Sequence, residues 1–299
     1  MAEPAGLRVA LITPGSIADA AWNAGAFEGL QQLKDSLGAE ISHQEARTPG
    51  AQEEALRAYA AQGYSLIFGH GFEFQQPAER VSVEYPRTVF IVTSGERIQG
   101  NVVPLVFRIE EGTFLAGMMA GALTKTGKIG FIGGIELPPI KRGYLGWVAG
   151  ARRMNPTVET RVAYLNTFDD AAAGREAALA MIQFGVDIFH HNADEAAKGI
   201  FQAAKERPGV FVFGANADQR SLAPERVYGS AIIDLPRAFL AVGREVKGGK
   251  FVPKMESFGL AGGVIRYVPN PALVVPASLM SKVLAAADSI IAGTLIPVQ

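Results

Sequence analysis

Short β-rich runs alternate with stretches of helical spacing along almost the whole chain, and the alternation occurs twice. The runs fall at 7–13, 40–46, 64–70 and 87–93, and again at 127–133, 159–165, 186–191, 209–215 and 226–233. Several are apolar at successive positions, as strands covered on both faces must be. Between them apolar residues recur at helical spacing, as in Ala26, Leu30, Leu33 and Leu37, or Phe114, Met118, Gly121 and Ala122. This pattern predicts βαβ units wound into mostly parallel sheets, once over 7–107 and once over 127–233.

Two such halves in 299 residues, without a Pro- or Ser-rich linker, predict two similar α/β lobes, each a doubly wound, mostly parallel sheet. The N-terminal lobe is expected over 1–107 plus 236–256, and the C-terminal lobe over 108–235 plus 257–299. The tail, with "KMESFGLAGGVIRYVPN" (254–270) and a helix near 276–293, is read as crossing back between them. Hinges are expected near 105–110, 233–237 and 254–260. Ligands of open α/β sheets sit beyond the carboxyl ends of the strands. That rule selects Thr13 to Asn23, Gly69 to Phe74, Gly133 to Pro139, Asn166 to Asp170, His191 to Asp194 and Asn216 to Asp218.

A formal charge of −1, from 28 Lys and Arg against 29 Asp and Glu, argues against a nucleic-acid partner. With no cysteine, disulfides, thiolate metal sites and thiol nucleophiles are excluded. No apolar run approaches the roughly 20 residues that span a bilayer, so no direct membrane span is expected. The start, "MAEPAGLRVA", has no basic n-region followed by an apolar h-region. The chain is either cytoplasmic or an exported protein whose signal has been removed.

Motifs of covalent and cofactor chemistry fail on spacing. "GALTKTGKI" has one residue too many for a Walker loop and ends in Ile129; no G-x-G-x-x-G follows the first strand, and no G-x-S-x-G is present. His190 and His191, adjacent on a strand, should point to opposite faces, so neither a metal nor any other cofactor is expected. Asp19 and Asp170 stand where helix N-caps belong and could be caps or cleft carboxylates. Trp22, Phe72 and Phe168 each fall in strand-to-helix loops at the predicted binding edge. Any one could be core packing, whereas together they suggest an aromatic sandwich for a flat ligand.

Six segments, "WNAGAFEGL" (22–30), "GHGF" (69–72), "EEGTFLAGMMAGALTKTGKIGFIGG" (110–134), "TFDDAAAGREAAL" (167–179), "GIFQAAKE" (199–206) and "GANADQ" (214–219), together resemble the basic membrane protein family, substrate-binding lipoproteins of ABC transporters that include purine nucleoside receptors. The resemblance implies a two-lobed type I periplasmic binding protein, non-catalytic, periplasmic or extracytoplasmic, monomeric, and serving an ABC permease and ATPase. It implies that Trp22 and Phe168 stack on a purine while Asn23 meets the base edge. Three positions depart from the nucleoside-binding pattern: Thr13 and Asn216 replace aspartates, and Ile233 stands near the place of a ribose-contacting lysine. The expected ligand is therefore a free base such as adenine, with a nucleoside as the alternative and a nucleoside-hydrolysing enzyme as a rival from another class.

Overall fold

The computed structural model describes residues 6–298; the expected lobe ends at 1–5 and 299 lie outside them. From the N-terminus the chain forms β1 (Arg8–Thr13), α1 (Trp22–Leu37), β2 (Glu40–Glu45), α2 (Pro49–Ala61), β3 (Leu66–His70), α3 (Gln75–Ser82), β4 (Val89–Thr93) and β5 (Val102–Phe107). It continues as α4 (Ile109–Leu123), β6 (Lys128–Gly133), α5 (Pro138–Met154), β7 (Glu159–Tyr164), α6 (Ala171–Gln183), β8 (Ile188–Asn192), α7 (Ala197–Glu206), β9 (Phe211–Asn216) and β10 (Val227–Ile233). Last come α8 (Leu235–Lys247), β11 (Glu256–Phe258), β12 (Ile265–Pro269) and α9 (Ala277–Ile291).

These elements divide into two compact units, Met1–Phe107 with Asp234–Phe258, and Arg108–Ile233 with Gly259–Gln299. The first holds a sheet of order β11-β5-β4-β3-β1-β2, and the second one of order β12-β10-β9-β8-β6-β7. The two orders match strand for strand, so the halves repeat one architecture, and all pairings are parallel except β10 with β12. In each sheet the strand order reverses once, between β1 and β3 and between β6 and β8. Connections leave in opposite directions at such a point and open a crevice at the carboxyl ends.

Every strand expected from the sequence is present, and three more are found. β5 contains Pro104, which lacks an N–H for the ladder and weakens a strand signal. Its position near the sheet edge tolerates this, since β11 pairs only with Leu105, Val106 and Phe107. β11 and β12 divide the tail: the first completes one sheet, and the second adds an antiparallel edge to the other.

Each unit has its own core. In the first, Ile12, Leu56, Ile67, Phe74 and Phe90 pack beneath α2 and α3, and Phe68 stacks on Phe239 of α8 on the other face, ring centroids 4.0 Å apart. In the second, successive residues of β6 feed opposite faces, as a two-residue period requires. Phe131 meets α4, α5 and α9, whereas Ile132 meets α6 and α7.

The block "GMMAG" of α4 and the block "GWVAG" of α5 explain how those two helices come so close. A Cβ at Gly117 or Gly121 would run into the backbone carbonyls of Trp147 and Ala151. One at Gly146 or Gly150 would meet those of Glu110 and Phe114. Glycines four apart lie on one helix face, so the helices touch backbone to backbone. This contact holds the first turn of α4 against the carboxyl end of the second sheet.

Candidate functional site

In the first unit, the site residues are placed by the loops leaving β1 and β3, which are paired in register as far as Ile12 and Gly69. Asp19 anchors the first loop. Its carboxylate accepts from the N–H groups of Ala21 (3.0 Å), Asn23 (2.7 Å) and Ala24 (2.9 Å). It thus satisfies orphan donors at the start of α1 and favours the positive end of the helix dipole. The loop bends through Ala20 at φ 57° and delivers Trp22 and Asn23 as the first two residues of α1.

Trp22 is half-buried and stacks on His70, with ring centroids 4.0 Å apart and planes at 24°. His70 is fully buried. Its Nε2–H donates to the Trp22 carbonyl at 3.1 Å, and its Nδ1 accepts from the Thr93 hydroxyl at 2.9 Å. Desolvation pushes its pKa down to about 3, so the ring is neutral at physiological pH and both its bonds are fixed. The imidazole is a rigid backing for the indole.

Asn23 is 4% exposed, and its Oδ1 has no hydrogen-bond partner in the protein. A buried amide oxygen without a donor costs about 1–3 kcal/mol. Thr13, by contrast, is committed to the protein: its hydroxyl donates to the Gly15 carbonyl at 2.8 Å and accepts from His43 Nε2 at 3.0 Å. Phe72, half-buried, begins a single 3₁₀ turn after Gly71.

In the second unit, the Phe168 ring packs against Gly134. A Cβ there would collide with the Phe168 ring, so glycine is required for the aromatic to seat. The Phe168 carbonyl accepts from Ala196 N–H at 2.8 Å, which ties this loop to the one after β8. Asp170 is exposed and caps α6 through the Ala173 N–H at 3.0 Å. Asn216 ends β9 with its Nδ2 at 3.4 Å from Asn192 Oδ1 and 3.5 Å from Asp194 Oδ1. Asn192 and Asn216 border a small apolar cavity whose lining includes Ile109, Ala231, Ile233 and Ile265.

Five non-glycine residues have positive φ among the described residues: Ala20, Ser94, Asn166, Asp194 and Asn216. Four lie at or within two residues of the carboxyl ends of β4, β7, β8 and β9, and Ala20 lies in the loop that joins β1 to α1. Backbone strain of this kind concentrates at ligand clamps and active sites.

The structure thus brings Thr13, Asp19, Trp22, Asn23 and Phe72 to one sheet edge, and Phe168, Asp170 and Asn216 to the corresponding edge of the other sheet. His70, Asn192 and Asp194 fall in the strand-end segments selected from the sequence, but no ligand role was assigned there to His70 or Asn192. Their strand-end positions were visible there, but their ring and side-chain partners come from neighbouring strands. Among the described residues no cluster of three or more His, Asp or Glu could hold a metal ion, and no helix is long and apolar enough to cross a membrane.

Two α/β units with this strand order, each with its polar and aromatic residues at the carboxyl edge, define a type I periplasmic binding protein. Solved structures share the fold. Similarity extends to a solute-binding protein of an ABC transporter system from Aeropyrum pernix K1, with TM-score 0.86 and 25% identity over 97% of this chain and 92% of that one. A second solute-binding protein of this kind, from Conexibacter woesei, matches with TM-score 0.78 and 27% identity over 97% and 98%. Residues 7–296 match the Bmp family, described as ABC transporter substrate-binding protein PnrA-like. The chain belongs to this family of ABC transporter substrate-binding proteins. Among its relatives, basic membrane protein A2 of Borrelia garinii is 32% identical over 89% of this chain and 81% of its own length. The ABC transporter nucleoside-binding protein BmpA of Lactococcus lactis is 33% identical over 72% and 65%.

Proposed function

We propose that this protein is a non-catalytic, extracytoplasmic receptor that delivers a purine to an ABC permease and ATPase, and that the favoured ligand is a free base such as adenine. The observation that carries the reading is Asn23: a buried amide whose Oδ1 has no partner in the protein, adjacent in the chain to a half-buried indole braced from behind. A flat heterocycle with an N–H on its edge satisfies both features at once. Trp22 and Phe168 supply stacking faces, and Phe72 adds an apolar surface to the site. Thr13, Asp19 and Asp170 hold the loops that present these groups, and Asn216 offers its amide to the ligand.

The preference for a base over a nucleoside rests on what faces Asn216. Ile233 lines an apolar cavity beside it with Ile109, Ala231 and Ile265. A buried ribose hydroxyl needs a partner there, and an unpaired one costs about 1–3 kcal/mol. One observation favours the nucleoside instead: the group formed by Asn192, Asp194 and Asn216 could serve two hydroxyls, and the Lactococcus lactis relative is named nucleoside-binding.

Calorimetry with adenine, guanine, hypoxanthine, adenosine and guanosine separates the two. Tighter binding of a base than of its own nucleoside is the expected result. A nucleoside held ten times more tightly than its base overturns the free-base reading, and binding of none of the five overturns the purine reading. Release of free base from a nucleoside, at a rate that responds to substitution of Asp19 or Asp170, would instead identify an enzyme.

A further inference from the structure

The turn after β3 carries a second polar group that lacks a counterpart. Glu73 follows Phe72, three residues beyond His70, on the loop that flanks the strand-order reversal between β1 and β3. Its carboxyl folds back over Gly71, where an added Cβ would stand 2.5 Å from Oε2 and 2.8 Å from Cδ. Gly71 has φ 137°, a conformation that L side chains rarely adopt. The backbone is thus doubly specialised for glycine at the spot where this carboxyl rests. Glu73 makes no ion pair among the described residues, and its own backbone N–H favours the charged form. Desolvation holds its pKa above the ordinary carboxylate range.

A carboxyl drawn partly out of water without a cation loses hydration that an N–H donor can replace. Asn23 Oδ1, buried and unpartnered, and the half-buried Glu73 carboxyl stand beyond the ends of adjacent strands at the reversal. Both call for N–H donors. Resting on the purine reading above, we infer that Glu73 is a specificity-determining residue whose carboxylate accepts an N–H of the bound heterocycle, so that the ligand must bring two separate N–H donors to this edge of the sheet. Adenine carries a 6-amino group and an imidazole N–H. A nucleoside has lost the imidazole N–H to the sugar, which makes the two-donor requirement a second basis for preferring the base.

A double-mutant cycle between protein and ligand tests this. Wild type, Glu73→Gln and Glu73→Ala are titrated by calorimetry with adenine, with 9-methyladenine, which lacks the imidazole N–H, and with unsubstituted purine, which lacks the amino group. Circular dichroism and thermal melting of the ligand-free variants report that each is folded. Wild type should lose at least tenfold in affinity for one of the two analogues, and Glu73→Ala should bind adenine at least tenfold more weakly than wild type while losing no more than twofold on that same analogue. Adenine affinities within twofold for wild type and Glu73→Ala overturn the inference, as do equal analogue losses in both proteins. If Glu73→Ala is unfolded, Glu73→Met, similar in length and without an acceptor oxygen, is titrated instead and decides on the same criteria. Failure of wild type to bind any purine is seen in the first titration, before any variant is made, and removes the purine reading and this inference with it.

Discussion

At the scale of single residues, two side chains side by side at the start of α1 are specialised in opposite ways. Trp22 is already stacked on one face, so a ligand gains a rigid platform with little ordering cost. Stacking of a base on an aromatic is worth about 1–3 kcal/mol, and Trp22→Ala should therefore weaken purine binding about five- to 150-fold with little change in melting temperature. Because Trp147 is fully buried in the core of the second unit, ligand-dependent change in tryptophan emission should come from Trp22 and vanish in that variant. Affinity unchanged within twofold would return the indole to a packing role. Asn23 presents the reverse case. Its unpartnered Oδ1 burdens the ligand-free protein, so Asn23→Leu, close in size and without polar atoms, should raise the stability of the ligand-free protein by about 1 kcal/mol or more while reducing purine affinity at least tenfold. Denaturant unfolding of the ligand-free variant measures the first effect and calorimetry the second. A variant less stable than wild type would show that the amide is satisfied in solution.

At the scale of elements, the α4–α5 contact depends on glycines in both helices. Glycine to alanine in an exposed helix interior stabilises by roughly 1 kcal/mol through helix propensity. At Gly150 the sign should reverse, because the new methyl group meets the Phe114 carbonyl oxygen of the facing helix. Overpacking of this kind costs about 1–3 kcal/mol, and the backbone carbonyl cannot rotate aside as a side chain could. Gly150→Ala should therefore lower the denaturation midpoint, whereas Gly50→Ala, where the added Cβ meets nothing within 4 Å, should not. Equal midpoints for the two variants would mean that the helices sit farther apart than described. Binding should weaken as well in Gly150→Ala, since α4 begins at Ile109 and its first turn lines the cavity beside Asn216.

At the scale of the whole molecule, acid should destabilise the fold through three histidines. His70 and His191 have pKa values pushed down by burial to about 3, and His190 to about 4, against an ordinary 6.5. A base with a depressed folded pKa is neutral in the fold and takes up a proton on unfolding. Between about pH 6.5 and 4 the unfolded chain thus binds more protons, and stability must fall as pH falls through that window. Each such group adds up to about 1.4 kcal/mol per pH unit, so the three together approach about 4 kcal/mol per unit at the acid end. Glu73 and Glu111, both raised by desolvation from 4.5, oppose the trend just above that value, because they are protonated more readily in the fold. Unfolding free energies at pH 7, 6, 5 and 4.5 measure the slope, and a flat profile across that range would mean that the histidines are open to solvent.

What the sequence determined by itself was the architecture. Continuous apolar runs of strand length and helical spacing between them are local properties of the chain, so the nine expected strands and the doubly wound α/β class were legible from composition and period. The strand-to-helix loops were legible for the same reason, and with them the positions of Trp22, Phe72 and Phe168. Asp19 and Asp170 were legible as possible caps, because a cap acts on backbone within a few residues of itself. β5, with Pro104 at its centre, and the two short tail strands were not, since their ladders depend on partners far away in the chain. Only tertiary structure decided that His70 is the backing of Trp22, that Thr13 commits its hydroxyl to Gly15 and His43, and that Asn23 Oδ1 is an acceptor left unserved. Whether a polar atom is satisfied depends on groups that the fold carries in from other strands, and no spacing along the chain records that.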